Sequence, residues 1–246
     1  MIHLFHHTIM RARRAASRSV FGLGSVVLLA LFLPRATPVP SPDAPSPDAP
    51  RLLALGDSYT IGQGVPPEER WPVQLAARLR ERGVALADPE IIATTGWTTI
   101  DLMDAIDTAS PEGPYEIVTL LIGVNDQYAG YRARDFRRGF QNLLDRSVEF
   151  AGGDPSRVVV VSIPDWGVMP FAEGRDRTAI GRAIDEYNAV AQEHAEKVGA
   201  HWVDVTALSR EQGDLAASDG LHPSGEAYTA WTDRILPAAR SALSAL

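Results

Sequence analysis

The sequence predicts an α/β fold in which helices cover both faces of a five-stranded parallel sheet. From residue 51 onward, short apolar segments rich in β-branched residues alternate with longer amphipathic segments, the order that strand–helix–strand units produce. The central apolar segments have no polar face, as expected for strands that helices bury on both sides. Right-handed crossovers should connect successive strands.

Five segments are predicted to be strands. The third and fourth contain the apolar runs VTLLI and VVVV, and the first ends at a glycine. The predicted strands are LLALG (52–56), EIIAT (90–94), EIVTLLIG (116–123), RVVVVSI (157–163) and HWVDV (201–205). Because the carboxyl ends of parallel strands meet at one edge of the sheet, the residues that follow each strand should form the functional site.

Four segments are predicted to be helices. In WPVQLAARLRERG (71–83), the apolar residues recur at helical spacing. Two longer helices are predicted over 132–150 and 177–198. A last helix, opened by Pro223 and Ser224, should run toward Leu246.

The first 33 residues have the composition of an export signal. Four arginines between residues 11 and 18 precede an apolar stretch over 20–33, the order of charge and hydrophobicity that such signals have. A membrane span needs about 20 apolar residues, more than this stretch supplies. We therefore expect residues 1–33 to be an export signal, with an uncleaved membrane anchor as the alternative. Both imply a secreted, periplasmic or cell-surface protein.

Residues 34–50 are predicted to be a proline-rich linker. The motif SPDAP occurs twice in succession, and frequent prolines favour extended, solvated chain. The remaining residues, 51–246, have the size and apolar content of one globular domain.

Charge and cysteine content exclude several function classes. Five of the 23 basic and two of the 31 acidic side chains lie before residue 51, which leaves 18 against 29 and a net charge of −11. This balance argues against nucleic acid or an anionic membrane surface as the main partner. The chain has no cysteine, so disulfides, thiolate metal sites and a cysteine nucleophile are excluded.

Residues with catalytic potential follow the predicted strands. GDSY follows the first strand, TGW the second and GVND the third, and DGLHPS lies beyond the fifth. The hydroxyl of Ser58 needs a base to become a nucleophile, and histidine is suited to that role near neutral pH. His222 follows Asp219 by three residues, so Asp219 can accept a hydrogen bond from one ring nitrogen while the other faces Ser58. The alternative is that Asp219 merely caps the last helix.

The other residues of these blocks are expected to support the site. Ser58 and Gly96 can offer backbone N–H groups to a developing oxyanion, and Asp57 should fix its loop by accepting backbone hydrogen bonds. Of the remaining histidines in the domain, His194 is expected to be a solvated surface residue and His201 to pack at a strand.

In this order, the four blocks resemble the signature blocks of the GDSL, or SGNH, hydrolase family, over residues 51–236. The resemblance implies a flavodoxin-like three-layer α/β/α sandwich and serine-based ester hydrolysis without a metal or other cofactor. It identifies Ser58, His222 and Asp219 as the catalytic triad. It also assigns the side chain of Asn125 to the oxyanion hole, although its spacing alone fits a simple turn residue. Tyr59 stands where the family often has leucine, which concerns packing beside the serine.

We therefore expect a serine esterase acting on small-molecule, glycan or lipid esters. Lysophospholipase or thioesterase action, removal of acetyl groups from polysaccharides, and a binding module without turnover remain alternatives. The frame around Ser58 is not G-x-S-x-G, and the folded part has no HExxH, P-loop or complete G-x-G-x-x-G.

Aromatic and polar residues near the strand ends are candidate substrate contacts. They are Trp97, Gln127, Tyr128 and Trp166, with Met169, Pro170 and Phe171 as an extension. An aromatic wall for an acyl chain or a sugar ring and a packed lid are equally compatible with this pattern.

Overall fold

The computed structural model describes residues 49–244. The export signal or anchor predicted over 1–33 lies outside the described residues, as does the predicted linker 34–50 apart from its last two residues. At that point Pro50 accepts a hydrogen bond from the Ala87 N–H, so the described part begins in contact with the folded domain. Within residues 49–244, the helices are all too short or too polar to cross a membrane.

The sheet has five parallel strands, as predicted. In chain order they are β1 (Leu52–Gly56), β2 (Glu90–Ala93), β3 (Ile117–Leu121), β4 (Val158–Val161) and β5 (His201–Val203). Their spatial order is β2-β1-β3-β4-β5. All residues of β1, β3 and β4 are buried, which explains why these segments have no polar face.

Helices cover both faces of the sheet. In chain order, the helices of the described part are α1 (Ser58–Ile61), α2 (Trp71–Arg80), α3 (Thr99–Ala109), α4 (Val124–Tyr128), α5 (Ala133–Phe150), α6 (Arg177–Val198), α7 (Thr206–Arg210) and α8 (Gly225–Ser244). Helices α2 and α8 pack together, and α5 packs against both α3 and α6. The four predicted helices are therefore confirmed, although α2 ends three residues before the predicted end.

Helix α3 was not among the predicted helices. Its start carries a capping box, in which the Asp101 N–H donates to Thr98 Oγ1 and the Thr98 N–H donates to Asp101. This threonine-to-acid spacing is a sequence signal for a helix start. The four- and five-residue helices α1, α4 and α7 are too short to show a helical period in sequence.

The strand order places a switch point between β1 and β3. The chain leaves β1 toward β2 on one side and returns to form β3 on the other, and Gly56 is level with Leu121 in the register. A Cβ atom on Gly56 would lie 2.5 Å from the Leu121 carbonyl oxygen and would also collide with Thr60. Glycine is thus required where β1 passes into α1. Crevices at such switch points are where α/β sheets bind ligands.

Asp57 caps the helix that begins at this crevice. Its Oδ1 accepts a hydrogen bond of 3.0 Å from the Tyr59 N–H, the backbone contact expected of it. The residue is 0% exposed, and Oδ2 has no hydrogen-bond partner among the described residues. The pKa of Asp57 is raised to about 7, first by burial and also by the nearby charge of Asp126, while the hydrogen bond from the Tyr59 N–H opposes the rise.

The raised pKa predicts that Asp57 makes stability depend on pH. The free energy of unfolding should fall between about pH 4, where the carboxyl ionises in the unfolded chain, and about pH 7, where it ionises in the fold. Asp57→Asn keeps an acceptor for Tyr59 but carries no charge. Between pH 5 and pH 8, the free energy of unfolding should therefore fall by about 2 kcal/mol less in the variant than in the wild type.

Urea denaturation at the two pH values measures this difference. Asp104→Asn, which changes an exposed aspartate, should retain the wild-type pH dependence. Identical pH dependence in wild type and Asp57→Asn would contradict the prediction.

Candidate active site

A cavity of about 180 Å³ lies at the carboxyl edge of the sheet. Residues that follow β1, β2, β3 and β4 line it, together with two residues from the loop that precedes α8. The lining residues are Ser58, Tyr59, Thr95, Gly96, Val124, Asn125, Tyr128, Trp166, Phe171, Leu221 and His222. The structure thus brings together residues from all four sequence blocks.

Ser58 is the first residue of α1 and is only 4% exposed. Its carbonyl oxygen accepts hydrogen bonds from the N–H groups of Gly62 and Gln63, so the turn that carries it is closed by backbone contacts. The N–H of a first helical residue has no acceptor within its own helix. Ser58 lines the cavity.

His222 and Asp219 form a hydrogen-bonded pair. The imidazole Nδ1 lies 2.7 Å from Asp219 Oδ2, and Asp219 Oδ1 accepts hydrogen bonds of 2.9 Å from the N–H groups of Leu221 and His222. Partial burial acts to raise the pKa of Asp219, but the imidazole and the two backbone donors outweigh it and hold this pKa below its usual value. Asp219 is therefore a charged acceptor that orients the ring.

The imidazole ring of His222 is buried against aromatic side chains. His222 is 6% exposed, and the Tyr59 ring meets its ring edge-on with centroids 5.6 Å apart. Tyr59 packs in turn against Trp231 of α8, at 6.1 Å. The residue in the leucine position of the GDSL block thus supports the imidazole directly. His222 and Ser58 line the same cavity, and among the described residues no hydrogen bond joins their side chains.

Gly96 has a backbone conformation that favours glycine. Its φ is +85°, in the left-handed region that side chains disfavour. A Cβ there would meet no atom within 4 Å, so the positive φ, rather than crowding by protein, requires glycine. The Gly96 N–H has no acceptor in the described part of the chain.

Asn125 is held in place by two neighbouring contacts. Its Nδ2 donates a 2.8 Å hydrogen bond to the Trp97 carbonyl oxygen, which leaves one of its two N–H groups for another acceptor. The next residue, Asp126, is buried and accepts hydrogen bonds from the N–H and hydroxyl of Thr99. The start of α4 is thereby tied to the segment after β2.

Three aromatic side chains, Tyr128, Trp166 and Phe171, form one side of the cavity and are called the aromatic wall below. The Trp166 ring lies 5.6 Å from the Tyr128 ring and 6.1 Å from the Phe171 ring, measured between centroids. Tyr128 is 54% exposed and Phe171 39%. The wall therefore has accessible apolar surface, unlike a fully packed lid.

Other candidate contact residues lie outside the cavity. Trp97 lines a separate shallow groove beside α3. Gln127 accepts a 2.9 Å hydrogen bond from Trp166 Nε1 and so helps to fix the Trp166 ring. Met169 is buried in the core, and neither it nor Pro170 lines the cavity.

The prediction that His194 is a solvated surface residue is wrong. It is buried on the side of α6 that packs against α5, with its ring 6.4 Å from that of Phe140. Burial and the neighbouring Arg137 lower its pKa. His201 begins the edge strand β5 and is half-buried, as expected. Within residues 49–244, no group of three or more His, Asp or Glu side chains could hold a metal ion.

Several solved structures share this fold. The esterase EstA from Pseudoalteromonas sp. is 17% identical, with a TM-score of 0.61 over 79% of this chain and 98% of its own. A variant of Axe2, an acetyl-xylooligosaccharide esterase from Geobacillus stearmophilus, is 18% identical, with a TM-score of 0.60 over 77% and 94% of the two chains. AlinE4, a SGNH-hydrolase family esterase, is 20% identical, with a TM-score of 0.58 over 80% and 98%.

The comparison with curated proteins finds no match. The model of one protein family, the GDSL-like lipase/acylhydrolase family, matches residues 54–230. This match covers well over half of the chain and contains the GDSY, TGW, GVND and DGLHPS blocks. The chain belongs to the GDSL-like lipase/acylhydrolase family, the SGNH hydrolases.

Proposed function

We propose that the protein is a serine esterase that hydrolyses carboxylic esters through an acyl-serine intermediate. The observation that carries this proposal is that His222, hydrogen-bonded to Asp219, lines the same cavity as Ser58. Membership of a family of lipases and acylhydrolases supports it. Two structural relatives, EstA and AlinE4, are described as esterases.

The first half of the reaction forms the acyl-serine. Ser58 Oγ attacks the ester carbonyl carbon while His222 Nε2 accepts the hydroxyl proton. Asp219 accepts the Nδ1–H, which fixes the ring tautomer and stabilises the imidazolium that forms. The His222 proton then passes to the alcohol oxygen as the ester bond breaks.

The developing oxyanion needs hydrogen-bond donors at the cavity wall. The backbone N–H groups of Ser58 and Gly96 and the second N–H of Asn125 Nδ2 fill that role. In the second half of the reaction, a water molecule gives its proton to His222 and attacks the acyl carbon. The same donors stabilise the second oxyanion. As it collapses, the bond between the acyl carbon and Ser58 Oγ breaks, His222 returns its proton to Oγ, and the carboxylic acid leaves.

The size of the cavity favours short acyl groups. Its volume of about 180 Å³ is below the roughly 300–1,000 Å³ of pockets that enclose drug-sized ligands. Long-chain lysophospholipase or thioesterase action is accordingly less favoured. Removal of acetyl groups from carbohydrates is the second candidate, because Tyr128 and Phe171 of the aromatic wall offer exposed ring surface to a sugar and Axe2 is described as an acetyl-xylooligosaccharide esterase.

The first prediction concerns the nucleophile and the acyl length. The wild-type protein should hydrolyse p-nitrophenyl acetate and butyrate faster than the octanoate, because the cavity is small. Ser58→Ala should lower kcat by more than about 1,000-fold, as removal of a serine nucleophile does elsewhere. Release of p-nitrophenolate measures both effects, and Ser241→Ala, at an exposed serine of α8, is the matched control. Equal rates from wild type and Ser58→Ala would remove the serine mechanism.

The second prediction concerns the oxyanion donor on α4. Asn125→Ala should lower kcat for p-nitrophenyl acetate by about 100- to 1,000-fold with little change in KM, because the lost hydrogen bond is made mainly in the transition state. Asn142→Ala, at an exposed asparagine of α5, should behave as wild type. An unchanged kcat in Asn125→Ala would show that Asn125 serves only to hold the turn at Trp97.

A further inference from the structure

The guanidinium group of Arg175 packs against the aromatic wall. The guanidinium carbon of Arg175 lies 4.9 Å from the ring centroid of Phe171, 5.5 Å from that of Trp166 and 5.7 Å from that of Tyr128. All three distances fall within the roughly 6 Å over which a guanidinium is attracted to an aromatic face. Arg175 is therefore held where the wall meets solvent.

The hydrogen-bonding capacity of Arg175 is not used by the protein. Within residues 49–244, no carboxylate lies within 4.0 Å of its guanidinium and no group accepts a hydrogen bond from its side chain. Arg210 shows the contrast, because its guanidinium contacts Asp165 at 2.9 Å and Asp185 at 2.8 Å. The acids beside Arg175 on the same loop do not pair with it, since Asp176 caps α6 through the Ala179 N–H and Glu173 is exposed to solvent.

The loop that carries Arg175 is anchored beside the candidate triad. The Phe171 N–H donates a 2.9 Å hydrogen bond to the carbonyl oxygen of Gly220, which lies between Asp219 and His222. The Arg175 N–H donates to the Ala172 carbonyl, which closes the turn between the wall and the arginine. These backbone contacts fix the loop, and the three ring contacts place the guanidinium beside the aromatic wall that lines the cavity.

Contact with aromatic faces leaves the N–H groups of a guanidinium able to bind an anion. Five donors in a planar fork match a carboxylate or a phosphate, often through two parallel hydrogen bonds. The folded domain carries a net charge of −11, so its overall field repels anions. An unpaired cation beside the aromatic wall supplies a local attraction for anions that opposes this overall field.

We propose that Arg175 is a specificity-determining residue that binds an anionic group, a carboxylate or a phosphate, carried by the ester substrate. Because this inference rests on the proposed esterase function, it names the class of ester that the same cavity prefers: esters with a negative charge near the scissile bond over neutral esters of the same shape.

Two pairs of esters test the proposal, each differing in charge but hardly in shape. In the first pair the charge is on the acyl side: monoethyl succinate against ethyl 4-methylpentanoate. In the second pair it is on the alcohol side: 4-acetoxybenzoate against 4-acetoxybenzamide. The ratio of kcat/KM for the anionic and the neutral ester is measured for each pair in the wild type, Arg175→Gln, Arg175→Lys and Arg182→Gln.

In at least one pair, Arg175→Gln should lower this ratio by about fivefold or more, the size expected for a hydrogen bond to a charged group at a partly exposed site. Its rate on the neutral ester should stay within about twofold of wild type, which also shows that the variant is folded. Arg175→Lys should restore part of the ratio, since it keeps the charge but loses the fork. Arg182→Gln, on the exposed side of α6, should leave the ratio unchanged, and added salt should reduce it in the wild type.

Unchanged ratios in both pairs for Arg175→Gln would overturn the proposal. Failure of the esterase function has a different signature, because the wild type would then hydrolyse neither the neutral nor the anionic esters, and both proposals would fall together. Hydrolysis of the neutral esters with no effect of Arg175 on either ratio would leave the esterase function standing and remove only the anion preference.

Discussion

The close pairing of β1 between β2 and β3 is the constraint on which the rest of the structure depends. Gly56 lies against the Leu121 carbonyl oxygen at a distance that admits no side chain, which brings the ends of β1 and β3 level. Ser58 and Asn125 therefore emerge at the same crevice, although nearly seventy residues separate them. The His222 loop reaches this crevice because α8, which follows it, packs on α2.

The residue before the candidate nucleophile, Asp57, lowers the stability of the fold. Asp57 holds the first turn of α1 through the Tyr59 N–H, yet its carboxyl group is fully buried and lacks a partner for one oxygen among the described residues. Burial of an incompletely bonded carboxyl is unfavourable, and it persists where surrounding structure over-determines it. Tyr59, two residues after Asp57, packs against the His222 ring.

Much of the sheet and the grouping of the four motif blocks could be predicted from sequence. Fully apolar runs such as VVVV are typical of strands that helices bury on both faces, and the carboxyl ends of such strands meet at one edge. Helix α3 was missed although Thr98 and Asp101 signal its start. The surroundings of individual side chains were harder to predict. His194 lies in a polar stretch of sequence, but α6 buries it against Phe140, and Trp97 lines a different groove from the residues of the cavity. The position of Arg175 depends on tertiary loop contacts that have no sequence period.

The central claim is that Ser58 reacts because His222, oriented by Asp219, takes its proton. Incubation with diethyl p-nitrophenyl phosphate, followed by peptide mass spectrometry, tests it most directly. A single diethylphosphoryl adduct should form on Ser58, with one p-nitrophenolate released per chain, and His222→Ala should slow its formation by at least about 1,000-fold. An adduct on another residue, or labelling of Ser58 at the same rate without the imidazole, would contradict the mechanism.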